Sequence, residues 1–276
     1  MRKVCNLILP AVIILFASCN TPRYIYSPSP PNNPYFTKKG ESKLSAYYSS
    51  GGNNNTLDGG KNNGYDIQGA YAIANNWALT AGYFNRKERD VYSSGTYNFF
   101  ESSSVDYKRN LTDVGGGYFL PLNAKRNISL NVFGGLAFGR FSFTDRGLDK
   151  QGLSYDRFHN SRIVKWYIQP SFNVLPGKYF RASFINKFSF AHYGNIATSY
   201  TDEELQYFYL DRVNNKTIFF FEPTFNIQAG IPGCDWLKID GGFTFSSDPF
   251  EDVSRIEARN FNASIGLSFD LSKLKK

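Results

Sequence analysis

The sequence is poor in the residues that most enzymes and metal centres use. Its 276 residues include 2 histidines, 3 cysteines and 1 methionine. So few cysteines give no framework of paired disulfides. The formal net charge is +8, but the basic residues form no long block of the kind that binds nucleic acid. Beyond residue 18 no apolar run approaches the ~18–20 residues of a membrane-spanning helix. The sequence therefore excludes a helical membrane protein and predicts no nucleic-acid partner.

Aromatic residues and glycine are abundant instead. Aromatic side chains make up 17% of the chain, and there are 24 glycines. Disordered chains are depleted in aromatic residues, and coiled coils avoid both glycine and tyrosine. This composition favours a folded, all-β protein.

The N-terminus carries the features of a bacterial export signal. A basic start at Arg2 and Lys3 is followed by an apolar segment, 7–16, which is too short to span a membrane. The residues 16–19 end in Cys19 and resemble the lipobox of bacterial lipoproteins, in which the cysteine is acylated and becomes the new N-terminus. The resemblance implies a signal peptide over residues 1–18 and a lipid on Cys19. The alternative is an ordinary signal peptide in which Cys19 is incidental.

A linker rich in proline follows the signal peptide and covers residues 19–40. Its prolines lie among serine, asparagine and tyrosine, a composition that favours an extended backbone and forbids a helix. We expect its tyrosines and Phe36 to lie along a membrane interface or to pack on the rim of the following domain. That domain covers residues 41–276.

The domain is dominated by alternation with a period of two residues. Between Ile128 and Phe138 apolar side chains alternate with small or polar ones, as they do on a strand with two different faces. The same pattern recurs along the chain and predicts ten strands: 43–50, 65–74, 77–84, 114–120, 127–138, 164–174, 180–190, 219–229, 237–245 and 261–271.

The connections between these strands alternate between short and long. Long connections are predicted at 52–63, 87–106, 144–161, 193–214 and 246–259. Short turns at one end and long loops at the other are typical of membrane barrels. We therefore predict a ten-stranded antiparallel up-and-down transmembrane β-barrel, with eight to twelve strands as the range. An even strand count places both ends of the barrel on the short-turn side, and with them an acylated Cys19 in the periplasmic leaflet.

One face of the predicted strands carries charges of both signs. In a membrane barrel this face lines the lumen, whereas in a soluble barrel, the alternative fold, it would face water. We expect the lumen charges to form a plug of ion pairs and hydrogen bonds, because unpaired buried charge is costly. The alternative is a narrow polar conduit. The predicted lumen residues are Lys165, Arg181, Lys187, Glu222, Lys238 and Asp240.

Aromatic residues also flank the short turns. Four of them, Trp77, Phe119, Tyr179 and Trp236, are expected to form a girdle at the membrane interface, where amphipathic rings are favoured.

Candidate catalytic groups are few. Asp156 with His159, or His192 with Asp202 and Glu203, would resemble the outer-rim groups of omptin-type proteases, in which a base activates water. The acidic residues near 202–204 and 248–252 lack the spaced loop of a dedicated Ca²⁺ site. We therefore predict neither a metal nor a cofactor.

The signal, the linker and the aromatic, glycine-rich meander together resemble outer-membrane β-barrel lipoproteins of Bacteroidota, a porin-like small-barrel family. This resemblance implies a location in the outer membrane. The function that we predict is non-enzymatic: a monomeric barrel that contacts outer-membrane lipid and binds a surface glycan or protein through its loops. An outer-membrane hydrolase, a protease or a lipid-modifying enzyme, and a lipid-anchored soluble barrel are the alternatives.

Overall fold

The computed structural model describes residues 23–52, 61–92, 100–149, 151–177, 179–249 and 256–274. The predicted signal peptide and Cys19 lie outside these residues. The described residues form ten β-strands: β1 (Ser42–Gly52), β2 (Lys61–Ala72), β3 (Trp77–Tyr92), β4 (Phe100–Pro121), β5 (Ile128–Asp149), β6 (Ser154–Val174), β7 (Phe180–Thr198), β8 (Thr217–Ile231), β9 (Cys234–Phe245) and β10 (Phe261–Asp270).

The strands close into a single barrel. Each strand is antiparallel to its neighbours in sequence, and β1 pairs with β10, with Lys43 opposite Asp270 and Gly52 opposite Phe261. Closure leaves neither terminal strand with an unpaired edge, which is what a sheet in hydrocarbon requires. The predicted ten-stranded up-and-down antiparallel barrel is confirmed.

The side chains have the orientation of a membrane barrel. On β5, Phe138 is 51% exposed while its neighbour Ala137 is 1% exposed, and Leu136 again faces outward. In the membrane part of the barrel, large apolar side chains such as Ile168 and Phe184 cover the outside, whereas polar and charged ones line the inside. An apolar cluster is also buried inside, toward the long-loop end. A soluble barrel would show the reverse, so the soluble alternative is wrong.

Three strands are far longer than a membrane requires. The strands β4, β5 and β6 have 22, 22 and 21 residues, where a tilted membrane strand needs about 9–11. Most of the predicted long loops 87–106 and 144–161 are therefore strand, which corrects the sequence prediction. In these extensions polar residues face outward, whereas apolar and aromatic residues such as Tyr107, Phe141 and Phe143 face inward, so the outward apolar face of the membrane part does not continue into them.

The N-terminal segment, residues 23–36, lies inside the barrel. Its backbone is extended, and Tyr24, Ile25, Tyr26, Tyr35 and Phe36 are all less than 10% exposed. The sequence led us to expect that it would lie along a membrane interface or on the rim, and it does neither. The lumen offers its aromatic and amide side chains more partners than either surface would.

The long connection between β7 and β8 covers part of the long-loop end. It contains the helix α1 (Asp202–Tyr207), which Thr201 caps in a reciprocal pair of bonds with Glu204. A 3₁₀ turn, Leu210–Val213, follows and buries Leu210 and Val213 in the apolar cluster at this end. No helix in the described part of the chain is long and apolar enough to cross a bilayer.

Candidate functional site: the filled lumen

The outer end of the lumen is held by an ion pair between Arg23 and Asp145. Arg23 Nη2 donates to Asp145 Oδ2 at 2.6 Å, and both side chains are buried. The same carboxylate accepts hydrogen bonds from Ser103 at 2.6 Å and from Tyr200 at 2.7 Å. Burial lowers the pKa of Arg23, but the Asp145 carboxylate and the nearby tyrosine hydroxyls together more than offset this, so the pKa lies above its ordinary value. Arg23 is thus a fixed cation at the long-loop end.

A second buried cluster lies one layer further in. Arg259, from the connection between β9 and β10, donates to both oxygens of Asp90 at 2.7 Å. Glu88 pairs with Arg259 at 3.4 Å and also with Arg109. The Arg259 guanidinium lies 3.9 Å from the ring centroid of Tyr24, and Arg109 donates to the Tyr24 carbonyl. The N-terminal segment therefore completes this cluster through its backbone and its ring.

Tyr26 joins two charges in the middle of the barrel. Its hydroxyl donates to Glu222 at 2.9 Å and accepts from Lys165 Nζ at 3.1 Å. Its ring stacks on Phe220 with centroids 3.9 Å apart. Ser189 donates to the other oxygen of Glu222. A hydroxyl of the N-terminal segment thus bridges a lysine of β6 and a carboxylate of β8.

The inner part of the segment is bound through neutral groups. Asn33 Nδ2 donates to Asn173 at 2.7 Å, and Asn33 Oδ1 accepts from Ser171 at 3.0 Å and from Asn131 at 3.2 Å. Tyr35 exchanges a 2.8 Å hydrogen bond with Ser183. These contacts match the polar lining of the lumen group by group.

Little free space remains beside the segment. A cavity of about 20 Å³ lies next to Pro30, between Asp66, Gln68 and Lys187. Such a volume holds about one water molecule. At this level the N-terminal segment and the wall side chains close the lumen.

The six lumen residues expected from the sequence fall into two groups. Lys165, Lys187 and Glu222 lie buried at mid-height around Tyr26 and Tyr167, whose ring lies 4.6 Å from Lys187 Nζ. The other three lie near the short-turn end, where Asp270 pairs with Lys238 and with Arg181 at 3.7 Å, and Asp240 with Lys43 at 3.7 Å. The partners that join these lumen residues, Tyr26, Asp270 and Lys43, were not predicted from the sequence.

The four residues expected at the interface girdle do not share one orientation. Trp77 and Tyr179 are 55% and 38% exposed on the outside of the barrel, and Trp236 is half-buried against Phe269. Phe119 is a correction, because it is fully buried in the lumen and packs on Phe36 with ring centroids 5.9 Å apart. The residue before it, Tyr118, faces outward in its place, as the alternation on β4 requires.

The candidate catalytic groups are not brought together. His159 is fully buried against the rings of Phe141 and Phe143, while Asp156 is exposed on the opposite face of β6 and pairs with Arg146 at 3.1 Å. The His192 ring lies on β7, where its Nδ1 contacts the Thr217 hydroxyl at 3.3 Å. The geometry therefore gives no support to the hydrolase alternative.

No group of three or more histidine, cysteine or acidic side chains that could hold a metal is found among the described residues. Asp202, Glu203 and Glu204 occupy the first turn of α1, where Glu204 caps the helix and pairs with Arg157. Glu251 and Asp252, predicted to lie with Asp248, fall outside the described residues.

Most of the charged residues at the long-loop end of the lumen were not predicted to lie there. Glu88, Asp90, Asp145 and Arg259 were placed in loops and Arg23 in a surface linker. The available signal was the alternation of charge sign from Lys87 to Asp90, where the residues of even number, Glu88 and Asp90, face inward. This signal carries no apolar contrast, so a search for hydrophobic periodicity overlooks it.

Together these features define a transmembrane β-barrel whose lumen is filled by its own N-terminal segment. The apolar outside, the closed strand pairing and the charged, hydrogen-bonded inside all belong to that class.

No protein-family model matches the chain, and no curated protein matches it significantly. Among solved structures it is similar to the outer membrane protease OmpT from Escherichia coli, with 12% identity and a TM-score of 0.42 over 83% of this chain and 95% of that chain. It is also similar to the NanC porin, with 10% identity and a TM-score of 0.38 over 83% and 100%. Ail, the attachment invasion locus protein of Yersinia pestis, has 13% identity and a TM-score of 0.31 over 84% and 98%.

Proposed function

We propose that the chain is a non-enzymatic outer-membrane β-barrel protein, acylated at Cys19, that acts by binding at its long-loop end. The observation that carries this proposal is the N-terminal segment in the lumen. Because Arg23–Phe36 contacts the wall at every level, the barrel serves as a closed scaffold and not as a conduit.

The proposed location follows from the barrel and from its export signal. A barrel with an apolar outside must lie in a bilayer, and barrels of this kind belong to outer membranes. The export signal accounts for how the chain would leave the cytoplasm. In that membrane the short turns face the periplasm and the long connections face outward. The end that carries α1 and the extensions of β4, β5 and β6 is then the exposed end.

Among the described residues, the hairpin between β5 and β6 extends the wall at that end. It exposes Leu148 and Leu153, at 39% and 66%, above the apolar belt, next to the charged Arg146 and Asp156. Exposed leucines with a charged rim suit a protein surface better than a sugar, which is bound by stacking rings and hydrogen bonds. A protein ligand is therefore our first choice, and a surface glycan the second.

Conductance tests the closed lumen directly. We expect the purified protein to give no steady ion conductance in a planar bilayer. A variant in which residues 23–36 are replaced by a glycine-serine segment of the same length should conduct, because that segment lacks the side chains that hold residues 23–36 against the wall and fill the lumen. Heat-modifiable gel migration checks that this variant still forms a barrel. Steady conductance by the unaltered protein would contradict the proposal.

A further inference from the structure

The N-terminal segment has a definite direction in the lumen. At its C-terminal end, Phe36 packs on Phe119, and the Thr37 carbonyl accepts from Arg126 in the short turn between β4 and β5. At its N-terminal end, Arg23 contacts Asp145 and lies over the ring of Phe208, both at the long-loop end. The segment thus crosses the lumen from one end of the barrel to the other.

The contacts between these ends follow one order. Along β6, Lys165 contacts Tyr26, Gln169 contacts the Asn32 carbonyl, and Ser171 contacts Asn33. Because β6 runs toward the short turn that follows Val174, increasing residue number in the segment means increasing depth toward that turn. The segment crosses once, without folding back.

Chain length then limits where Cys19 can lie. Four peptide units separate it from Arg23, and they reach at most ~14 Å. The crossing itself uses the 14 residues from Arg23 to Phe36. A return to the short-turn end would need a second crossing of similar length, in a lumen where Tyr24 and Ile25 are already 1% exposed. Neither the length nor the space for this exists.

We infer that the mature N-terminus lies on the long-loop side, so that the lipid on Cys19 is displayed on the outer face of the membrane. This rests on the proposed acylation and outer-membrane location. It replaces the periplasmic leaflet expected from the strand count, which fixes the start of β1 but not that of the chain preceding it. At this end of the protein, the lipid on Cys19 would accordingly contact acyl chains on the outside of the cell.

Thiol labelling in intact cells tests the inference. The parent is the Cys234→Ala protein, which removes the cysteine at the start of β9. A membrane-impermeant maleimide is applied to cells that carry Thr21→Cys in this parent. We expect Thr21→Cys to be labelled as fully as a control, Gln151→Cys, at the exposed tip of the β5–β6 hairpin.

A matched control marks the other side of the membrane. Lys125→Cys, exposed in the short turn between β4 and β5, should be labelled only after the outer membrane is permeabilised. Failure of Thr21→Cys to react in intact cells, while Gln151→Cys reacts, would overturn the inference.

The acylation is measured separately. Palmitate incorporation that disappears in Cys19→Ala supports the proposed lipid. If palmitate is absent while Thr21→Cys is labelled in intact cells, the acylation fails and the direction of the chain stands. The parent protein adds a check, because only an unacylated Cys19 would leave a thiol in it to react.

Discussion

Asp145 is the residue that fixes the outer end of the N-terminal segment. Its carboxylate is buried and accepts from Arg23, Ser103 and Tyr200, so it binds three parts of the chain that are distant in sequence. A buried carboxylate with this set of donors is also the main counter-charge of the Arg23 guanidinium. Its loss affects both the segment and the wall.

We expect Asp145→Asn to lower the free energy of unfolding by about 3–5 kcal/mol, because it leaves a buried cation without its counter-charge. Urea unfolding in lipid vesicles or detergent micelles measures this change. Asp156→Asn is the matched control, since that carboxylate pairs with Arg146 at 64% and 57% exposure and should cost less than about 1 kcal/mol. Equal effects of the two substitutions would contradict the importance assigned to Asp145.

Single residues of the lumen were only partly predictable from the sequence. Lys165 and Glu222 lie on strands with clear apolar alternation, so their inward orientation could be deduced. Tyr26, which bridges them, could not be placed, because a proline-rich segment has no periodicity that reports its surroundings. Phe119 was misplaced because proximity to a turn was weighed above its position in the alternation.

At the scale of the elements, glycines on β4 and β5 leave space for the ring of Tyr167 on β6. The side chain of Tyr167 lies over the paired glycines Gly115 and Gly135. A Cβ atom added at Gly135 would lie 2.8 Å from the Tyr167 hydroxyl and as close to the backbone of Val114. Glycine at this position is therefore required by a close approach within the lumen.

We expect Gly135→Ala to destabilise the barrel by about 1–3 kcal/mol, since the added methyl group overpacks the wall. The measurement is the midpoint of heat-modifiable migration or of urea unfolding. Gly177→Ala in the β6–β7 turn is the control, because an added Cβ there meets nothing within 4 Å. A Gly135→Ala protein as stable as this control would show that the ring can move aside.

The existence and order of the ten elements could be predicted, but not the lengths of the longest. Alternation of apolar and small residues located the membrane part of β5, around Leu136. Beyond Gly139 the outward residues become Arg140, Ser142 and Thr144, and the apolar residues, Phe141 and Phe143, face inward instead. The apolar face therefore changes sides, and no single apolar face marks the whole strand. Backbone pairing, which leaves no trace in composition, determines where such a strand ends.

At the scale of the whole molecule, the outward apolar belt determines the environment. Leu136 lies in this belt at 47% exposure, whereas Leu153 lies at the hairpin tip at 66%. Both are exposed leucines, but only the first faces hydrocarbon if the barrel spans a bilayer.

We expect Leu136→Arg to reduce the free energy of unfolding in lipid vesicles by about 2–4 kcal/mol, because it places a charge against the acyl chains. Leu153→Arg should change it by less than about 0.5 kcal/mol, as a surface substitution does. A similar tolerance of both substitutions would contradict a membrane-spanning belt.

The closing contact between β1 and β10 also determines the order in which the protein can assemble. If Cys19 is acylated as proposed, an N-terminal segment that carries a bulky lipid could not pass through the lumen once these two strands have paired. The strands would therefore have to close around an N-terminal segment that already occupies its place in the lumen. During assembly, β10 would then pair with β1 only after the N-terminus has reached the long-loop end of the barrel.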